Sequence, residues 1–123
     1  MATYDGVITI NAVAGADLSA SQGLLVAGDS TAGQVVLAGD GVNAIGVLLN
    51  APASGGAAAV AISGKVRAVA GGTVTVGARV ASDAAGKVVV AAEGDYVLGV
   101  AASAGAANAT IEVYFDKNGI EPA

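Results

Sequence analysis

The chain has 123 residues, of which 54% are hydrophobic, 12% charged and 3% aromatic, and it contains 19 glycines but no histidine, cysteine or tryptophan. Zinc and thiol chemistry are therefore excluded, and a serine nucleophile would have no histidine as its base. A net charge of −5 with five scattered cations argues against nucleic-acid binding, and this length predicts a single domain.

The predicted elements are short strands, separated by turns rich in glycine, aspartate, asparagine and serine. In chain order they are Val7–Ile10, Gln34–Leu37, Ala44–Leu49, Ala58–Ile62, Thr73–Val76, Lys87–Val90, Tyr96–Val100 and Ala109–Phe115. In the last of these, Ile111, Val113 and Phe115 share one face, as in a half-buried strand. Ala16–Ser21 is compatible with one helical turn. The pattern predicts an all-β fold, a small barrel or sandwich with little or no helix.

The hydrophobic content is mostly alanine and valine, so the core must be built from small side chains. Burying a valine or leucine contributes about 1.5–3 kcal/mol, and alanine contributes much less. Because net stability is a small difference of large terms, a monomer built in this way would be marginally stable. We therefore expect burial against other copies of the chain or against a larger surface.

Two segments of the chain are similar, Gly23–Val47 and Gly77–Val100, at a spacing of about 53 residues. The repeated residues include Val26, Asp29, Gly33, Gly41 and Gly46, which correspond to Val80, Asp83, Gly86, Gly94 and Gly99. The similarity extends to Ala12–Gly15 with Ala68–Gly71, and to Ala57–Ile62 with Asn108–Val113. We interpret the chain as one β domain, 1–123, with an N-terminal arm (1–6), a first repeat (7–64), a second repeat (65–115) and a C-terminal tail (116–123).

Two stretches resemble catalytic motifs, and the repeat argues against both. Gly28-Asp29-Ser30 could present a nucleophile, but its counterpart is Ser82-Asp83-Ala84, which keeps only the aspartate. We interpret Asp29 with Gly33, and Asp83 with Gly86, as structural turn residues, since aspartate binds nearby backbone amides and glycine accepts positive φ. Gly39–Ala44 fits a loose dinucleotide fingerprint, but a strand pattern follows it where a phosphate site needs a helix.

The remaining candidates for chemistry are weak. Glu93 and Asp95 flank Gly94 and could hold a cation, but only one carboxylate recurs in the first repeat. Lys87 lies at a hairpin, as does the modified lysine of lipoyl or biotinyl carrier domains, without the usual neighbouring residues. We expect no catalytic residue, no metal and no cofactor, and therefore no enzyme. The uncharged stretch 41–64 contains Pro52 and many glycines, so we expect no membrane span, and the N-terminus lacks the pattern of a secretory signal.

The stretch Gly72–Phe115 resembles a family of bacteriophage head proteins, the capsid cement or decoration proteins. The shared elements are an entry strand, a D-x-A-G-K-V hairpin, a G-V-A strand, an alanine-rich loop and a V-x-V-type final strand. In this chain they are Gly77–Val80, Asp83–Val88, Gly99–Ala101, Ala102–Ala109 and Ile111–Val113.

This resemblance implies a protein on the outer capsid surface of the virion, made in the host cytoplasm and bound to the major capsid protein. It also implies a homo-oligomer, most often a trimer, that stabilises the mature shell across the seams between capsid subunits. The candidate contact residues are those of the arm, Ala2, Thr3, Tyr4, Asp5 and Gly6, because Tyr4 is a large side chain that precedes any core pattern. The tail 116–123 is a second candidate. The alternatives are another virion or surface structural or adhesion module, and a carrier domain modified at Lys87.

Overall fold

Residues 7–120, with the side chains of residues 7–116, are described by a computed structural model. This part of the chain contains nine strands and no helix, which confirms the predicted all-β class. The strands are β1 (Ile8–Ala14), β2 (Leu25–Gly28), β3 (Gln34–Leu37), β4 (Gly46–Leu48), β5 (Ala57–Val69), β6 (Arg79–Ser82), β7 (Val88–Val90), β8 (Tyr96–Ala101) and β9 (Thr110–Ile120).

The strands form one sheet in the order β1-β3-β2-β4-β5-β9-β8-β6-β7. An additional antiparallel pairing of β1 with β5 joins the ends of the first five strands in this order, so that they close into a ring. The pairing of β1 with β3 is parallel. β5 is the longest strand and belongs to both halves of the sheet, because its first part pairs with β4 and its last part with β9.

The pairing pattern of the first half recurs in the second. β2 lies between β3 and β4, and β6 lies between β7 and β8. Val26 is opposite Leu37 and Gly46, and Val80 is opposite Val90 and Gly99. The parallel pair Ala14–Val35 corresponds to an isolated parallel bridge, Ala70–Val88. Residues that hold the same place in these two patterns are called equivalent below.

The register at the end of each half differs from the sequence alignment. Val47 pairs with Ala61, and its equivalent Val100 pairs with Tyr114. Ala61 is therefore equivalent to Tyr114, whereas the alignment of Ala57–Ile62 with Asn108–Val113 sets it against Glu112. The difference is two residues. Because side chains alternate with a period of two, such a slip leaves every residue on the same face, and the hydrophobic pattern cannot detect it.

The buried side chains form two clusters. The first-half core consists of Ala14, Leu18, Val26, Val35, Leu48, Ala58 and Val60. The second, the central core, combines interior residues of the second half, such as Val80, Val113 and Phe115, with residues on the outer face of the first half, among them Leu25, Val47 and Ala61. The halves therefore share the larger of the two clusters.

Two local predictions need correction, and two strands were not predicted from the local pattern. Thr73–Val76 is not a strand, because only Val74 makes an isolated bridge and a turn follows in which Ala78 N donates to Thr75 O at 3.2 Å. Val74 is 1% exposed and Val76 67% exposed, although a strand would place both on one face. Ala16–Ser21 contains a single hydrogen-bonded turn, from Ser21 N to Leu18 O, and no helix. β2 was not among the predicted strands, and β6 was indicated only by the family resemblance.

The predicted strands at the two ends of the chain are longer in the structure. β1 continues from the predicted Val7–Ile10 to Ala14, and β9 continues from the predicted Ala109–Phe115 to Ile120. The predicted face of β9 is confirmed, since Ile111, Val113 and Phe115 are all buried. The backbone of residues 116–120, assigned to the tail, lies in this strand.

Gly46 and Gly99 hold equivalent positions in β4 and β8 where neighbouring backbone comes very close. A Cβ added at Gly46 would collide with the carbonyl of Ala61, and one at Gly99 with the carbonyl of Tyr114. No larger residue fits at either glycine without displacing a strand.

We expect Gly99→Ala to destabilise the fold by about 2–3 kcal/mol, because the methyl group must push apart two paired strands in the central sheet. Gly72→Ala is the matched control, since nothing lies within 4 Å of the added Cβ at that position. Chemical denaturation monitored by circular dichroism measures both. Equal stability of the two variants would contradict the close approach.

Candidate functional site

Asp83 organises the turn between β6 and β7. Its Oδ1 accepts hydrogen bonds from the backbone amides of Ala85 and Lys87, at 2.8 and 2.9 Å. Asp83 N donates to Lys87 O at 2.8 Å, and Gly86 N donates to Asp83 O at 3.2 Å. Gly86 has a φ of 74°, a value that favours glycine. The carboxylate thus closes a hairpin.

The equivalent turn between β2 and β3 is built in a similar way. Asp29 N donates to Gln34 O at 3.0 Å, and Gly33 has a φ of 80°. Ser30, the candidate nucleophile, donates its backbone amide to Asp29 Oδ1 at 2.7 Å and lies exposed on the turn. Because the chain has no histidine, this serine has no imidazole to accept its proton.

The loop Gly39–Ala44, the candidate phosphate site, connects the two halves of the molecule. Gly41 N donates to Ser82 O at 2.8 Å, and Tyr96 N donates to Gly41 O at 3.1 Å. The segment Gly46–Leu48 that follows is strand β4. A helix N-terminus, which such a phosphate site requires, is not formed at this loop.

Two further acidic side chains, those of Asp17 and Asp95, accept hydrogen bonds within local turns. Asp95 Oδ2 accepts from Ala92 N at 3.0 Å within the loop that contains Glu93. The side chain and amide of Ser19 donate to Asp17 and lower the pKa of that carboxyl, which is fully exposed. Within residues 7–116, no group of three or more acidic side chains is placed so that it could hold a metal ion.

Lys87, the candidate carrier lysine, also has a partner. Its Nζ lies 2.7 Å from Asn108 Oδ1, which ties the hairpin between β6 and β7 to the loop before β9. Asn108 itself has a φ of 69°, in the left-handed region. The lysine thus acts as a link between two loops, and its ammonium group is partly occupied.

Two shallow grooves of about 270 and 380 Å³ share Arg67 and Thr110 in their linings. Leu48, Leu49 and Val69 contribute to the smaller groove, and Ser103 and Glu112 to the larger. In the larger groove, the Ser103 hydroxyl accepts a hydrogen bond from the backbone amide of Glu112 at 2.8 Å, and the carboxylate of Glu112 lies 3.8 Å from Lys65 Nζ.

β1 presents aliphatic side chains to solvent. Ile8 is 57% exposed, and Val7, Ile10 and Val13 are also exposed. β1 pairs with β5 along most of its length, whereas β3 meets it only at Val13 and Ala14. Among residues 7–120, therefore, most of one edge of β1 has no strand beside it. Edges of this kind readily accept a further strand. The arm residues Ala2–Gly6 lie outside the described part of the chain, directly before this strand.

Neither the apolar surface of β1 nor the exposure of Val90 and Tyr114 was predicted from the sequence. The run Val7–Ala14 could have indicated the apolar surface of β1, because its large aliphatic side chains occur at both odd and even positions. A strand covered on one face would not need that pattern.

These features define an all-β protein whose polar side chains shape turns and whose exposed apolar strand is suited to contact with other macromolecules. No helix within residues 7–120 is long and apolar enough to cross a membrane. The model of the phage cement protein family matches residues 1–116. The chain therefore belongs to the phage cement proteins and is a structural component of a bacteriophage virion.

A solved structure supports the fold. The N base of head fiber gp8.5 of bacteriophage phi29 superimposes with a TM-score of 0.73 at 15% sequence identity. The match covers 94% of this chain and 98% of that one, so nearly the whole architecture is shared. No curated protein sequence matches the chain.

We expect Asp83→Ala to lower the free energy of unfolding by about 1–2 kcal/mol, because two backbone amides lose their acceptor. Asp83→Asn keeps an oxygen at the same place and should retain most of the stability. Thermal unfolding of the three proteins measures the difference. The turn role would be wrong if the alanine and asparagine variants melted together with the parent protein.

Proposed function

We propose that this protein decorates the outer surface of a phage head, where it binds the major capsid protein and stabilises the mature shell across the seams between capsid subunits. The observation that supports this most directly is the exposed apolar strand β1 on a protein of the cement family. Its role is structural rather than catalytic.

The arm Ala2–Gly6 and strand β1 form the proposed contact element. They are continuous in sequence, and β1 offers both exposed aliphatic side chains and an edge that lacks a partner strand over Ile8–Ala12 in the described region. A strand of the capsid protein can pair with such an edge, while pockets on the shell accept Ile8 or Ile10. Strand addition of this kind draws its affinity from main-chain hydrogen bonds.

The proposed mechanism is a linkage of subunits. A ligand that binds only the expanded shell stabilises that state by RT ln(1 + [L]/Kd). An oligomer, proposed to be a trimer, attaches through several protomers at once, and each further contact gains from a high effective concentration. Modest contacts repeated over the shell then resist the outward pressure of the packaged genome.

We also propose that the two halves descend from one duplicated unit of about 50 residues. The matching registers of β2 with β6 and of β4 with β8 support this origin. An adhesion module and a carrier domain remain the alternatives. The contact of Lys87 Nζ with Asn108 disfavours the carrier, because a carrier lysine has to swing freely.

The proposed function is tested by mixing the purified protein with expanded phage heads that lack decoration. We expect co-sedimentation that saturates at a fixed number of copies per capsid subunit, and decorated heads that withstand higher temperature before they release DNA. Binding that never saturates, or heads of unchanged heat stability, would contradict the proposal.

Deletion of residues 2–6 should weaken binding to the heads by at least about tenfold, since each protomer of the bound oligomer loses a contact. Ile8→Ser should weaken it in the same direction. Val76→Ser is the matched control, because Val76 is exposed on a loop away from β1. Undiminished affinity of the truncated protein in the same sedimentation assay would remove the arm from the contact.

A further inference from the structure

The two halves of the chain meet in a one-sided way. The turn of the second half, residues 82–87 (the second tip), packs on the first half, where Leu25 N donates to Gly86 O at 2.7 Å. A Cβ at Gly86 would come within 2.6 Å of Leu37 Cδ1. A twofold contact would place Gly33, the residue equivalent to Gly86, against the second half. Instead, nothing lies within 4 Å of a Cβ at Gly33.

The surface of the first half that packs on the second half has a more exposed equivalent. We call Leu25, Leu37, Val47 and Ala61 the first shoulder, and their equivalents Arg79, Val90, Val100 and Tyr114 the second shoulder. Val47 and Ala61 are 0% exposed, and Leu25 is 1% exposed. On the second shoulder Tyr114 is 56% and Val90 48% exposed, and Arg79 is exposed as well. Leu37 and Val100 are half-buried. Each position of the second shoulder is therefore more exposed than its equivalent in the first.

Two further glycine pairs show the same asymmetry. Gly23 and Gly41 of the first half lie against Val69 and Asp95, which belong to the second half. Their equivalents, Gly77 and Gly94, have nothing within 4 Å of an added Cβ. The contact between the halves is therefore head-to-tail, with the tip of the second half on the shoulder of the first. In the described chain, the tip of the first half and the shoulder of the second half do not take part in such a contact.

We propose that a second copy of this chain fills the open side: the first tip of one copy, residues 28–34, docks on the second shoulder of another. The contact inside the chain shows what packs against Leu25 and Leu37 of the first shoulder, namely the second tip at Gly86. Val13 lies beside the first tip, where its amide donates to Gly33 O at 3.0 Å, and it adds an exposed apolar side chain.

Charge supports this occupant. The first tip carries the exposed carboxylate of Asp29, and the second shoulder carries the guanidinium of Arg79. In the contact within the chain, the place of Arg79 is taken by Leu25, so only the contact between copies would bring a tip near a positively charged shoulder residue. Opposite charges at a rim raise the association rate and select the docking partner.

A head-to-tail contact of this kind generates a ring if its rotation closes and a filament if it does not, because each copy has one tip and one shoulder to offer. It differs from an isologous dimer, in which one patch meets itself. This inference concerns association of the chain with itself and does not depend on the proposed attachment to a capsid.

The test uses one variant for each side, in the full chain. Ala32→Arg places a bulky cation on the exposed first tip, and Val90→Asp places a carboxylate on the second shoulder, opposite Asp29. Light scattering after gel filtration should give a mass above that of the 11.5 kDa monomer for the parent protein. Each variant alone should associate at least about tenfold more weakly.

The mixture of the two variants gives the decisive result. The intact tip of the Val90→Asp protein can still dock on the intact shoulder of the Ala32→Arg protein, so the mixture should form dimers and no larger species. A mixture that remains monomeric, or a parent protein that is monomeric at every concentration, would overturn the proposal.

Val7→Asp is the matched control, because Val7 is an exposed valine that belongs to neither the tip nor the shoulder. It should associate as the parent does, and loss of association in this variant would show that β1 forms the interface instead. Circular dichroism checks that each variant is folded. If Val90→Asp does not fold, Tyr114→Glu tests the same shoulder.

Discussion

Burial of the first shoulder beneath the second half holds this molecule together. Leu25, Val47 and Ala61 lie on the outer face of the first group of strands, yet they belong to the central core with Val113 and Phe115. Separation of the halves would expose them, at about 1.5–3 kcal/mol for each leucine or valine. Because the core is built from small side chains and net stability is only about 5–15 kcal/mol, loss of these contacts would remove a large part of the stability of the fold.

The same constraint accounts for the roles of the polar residues. Asp83 closes a turn, the Gly41 loop joins the halves, and Lys87 links a hairpin to the loop before β9. The unusual exposed side chains are large and hydrophobic. They include Ile8 at the start of β1 and Tyr114 on the second shoulder. A protein with such features functions through contacts of its surface with other macromolecules, which agrees with its membership of the phage cement proteins.

Local sequence predicted the strands and turns whose signals lie within a few residues of one another. The hairpin turn before Val88 and the alternating face of β9 are examples, because aspartate, glycine and period-two patterning act over short distances. Thr73–Val76 failed for the opposite reason. Its alternation is that of a strand, but Val74 pairs with Gly105 in a single bridge. The turn at Gly77 then reverses the chain before a ladder can form. β2 was missed because its four residues carry too little pattern.

The sequence by itself therefore determined the all-β class, the hairpin turns and the resemblance to cement proteins, since propensity, turn chemistry and motif spacing are all read along the chain. Only the tertiary structure decided the ring closed by β1 and β5, the two-residue difference in register at Ala61 and Tyr114, and the asymmetry between the shoulders. These depend on which distant segment covers a surface. Two equivalent strands can have the same sequence pattern and still differ in burial. The first shoulder is buried because the second half packs on it, whereas no further half follows in the described chain to pack on the second shoulder.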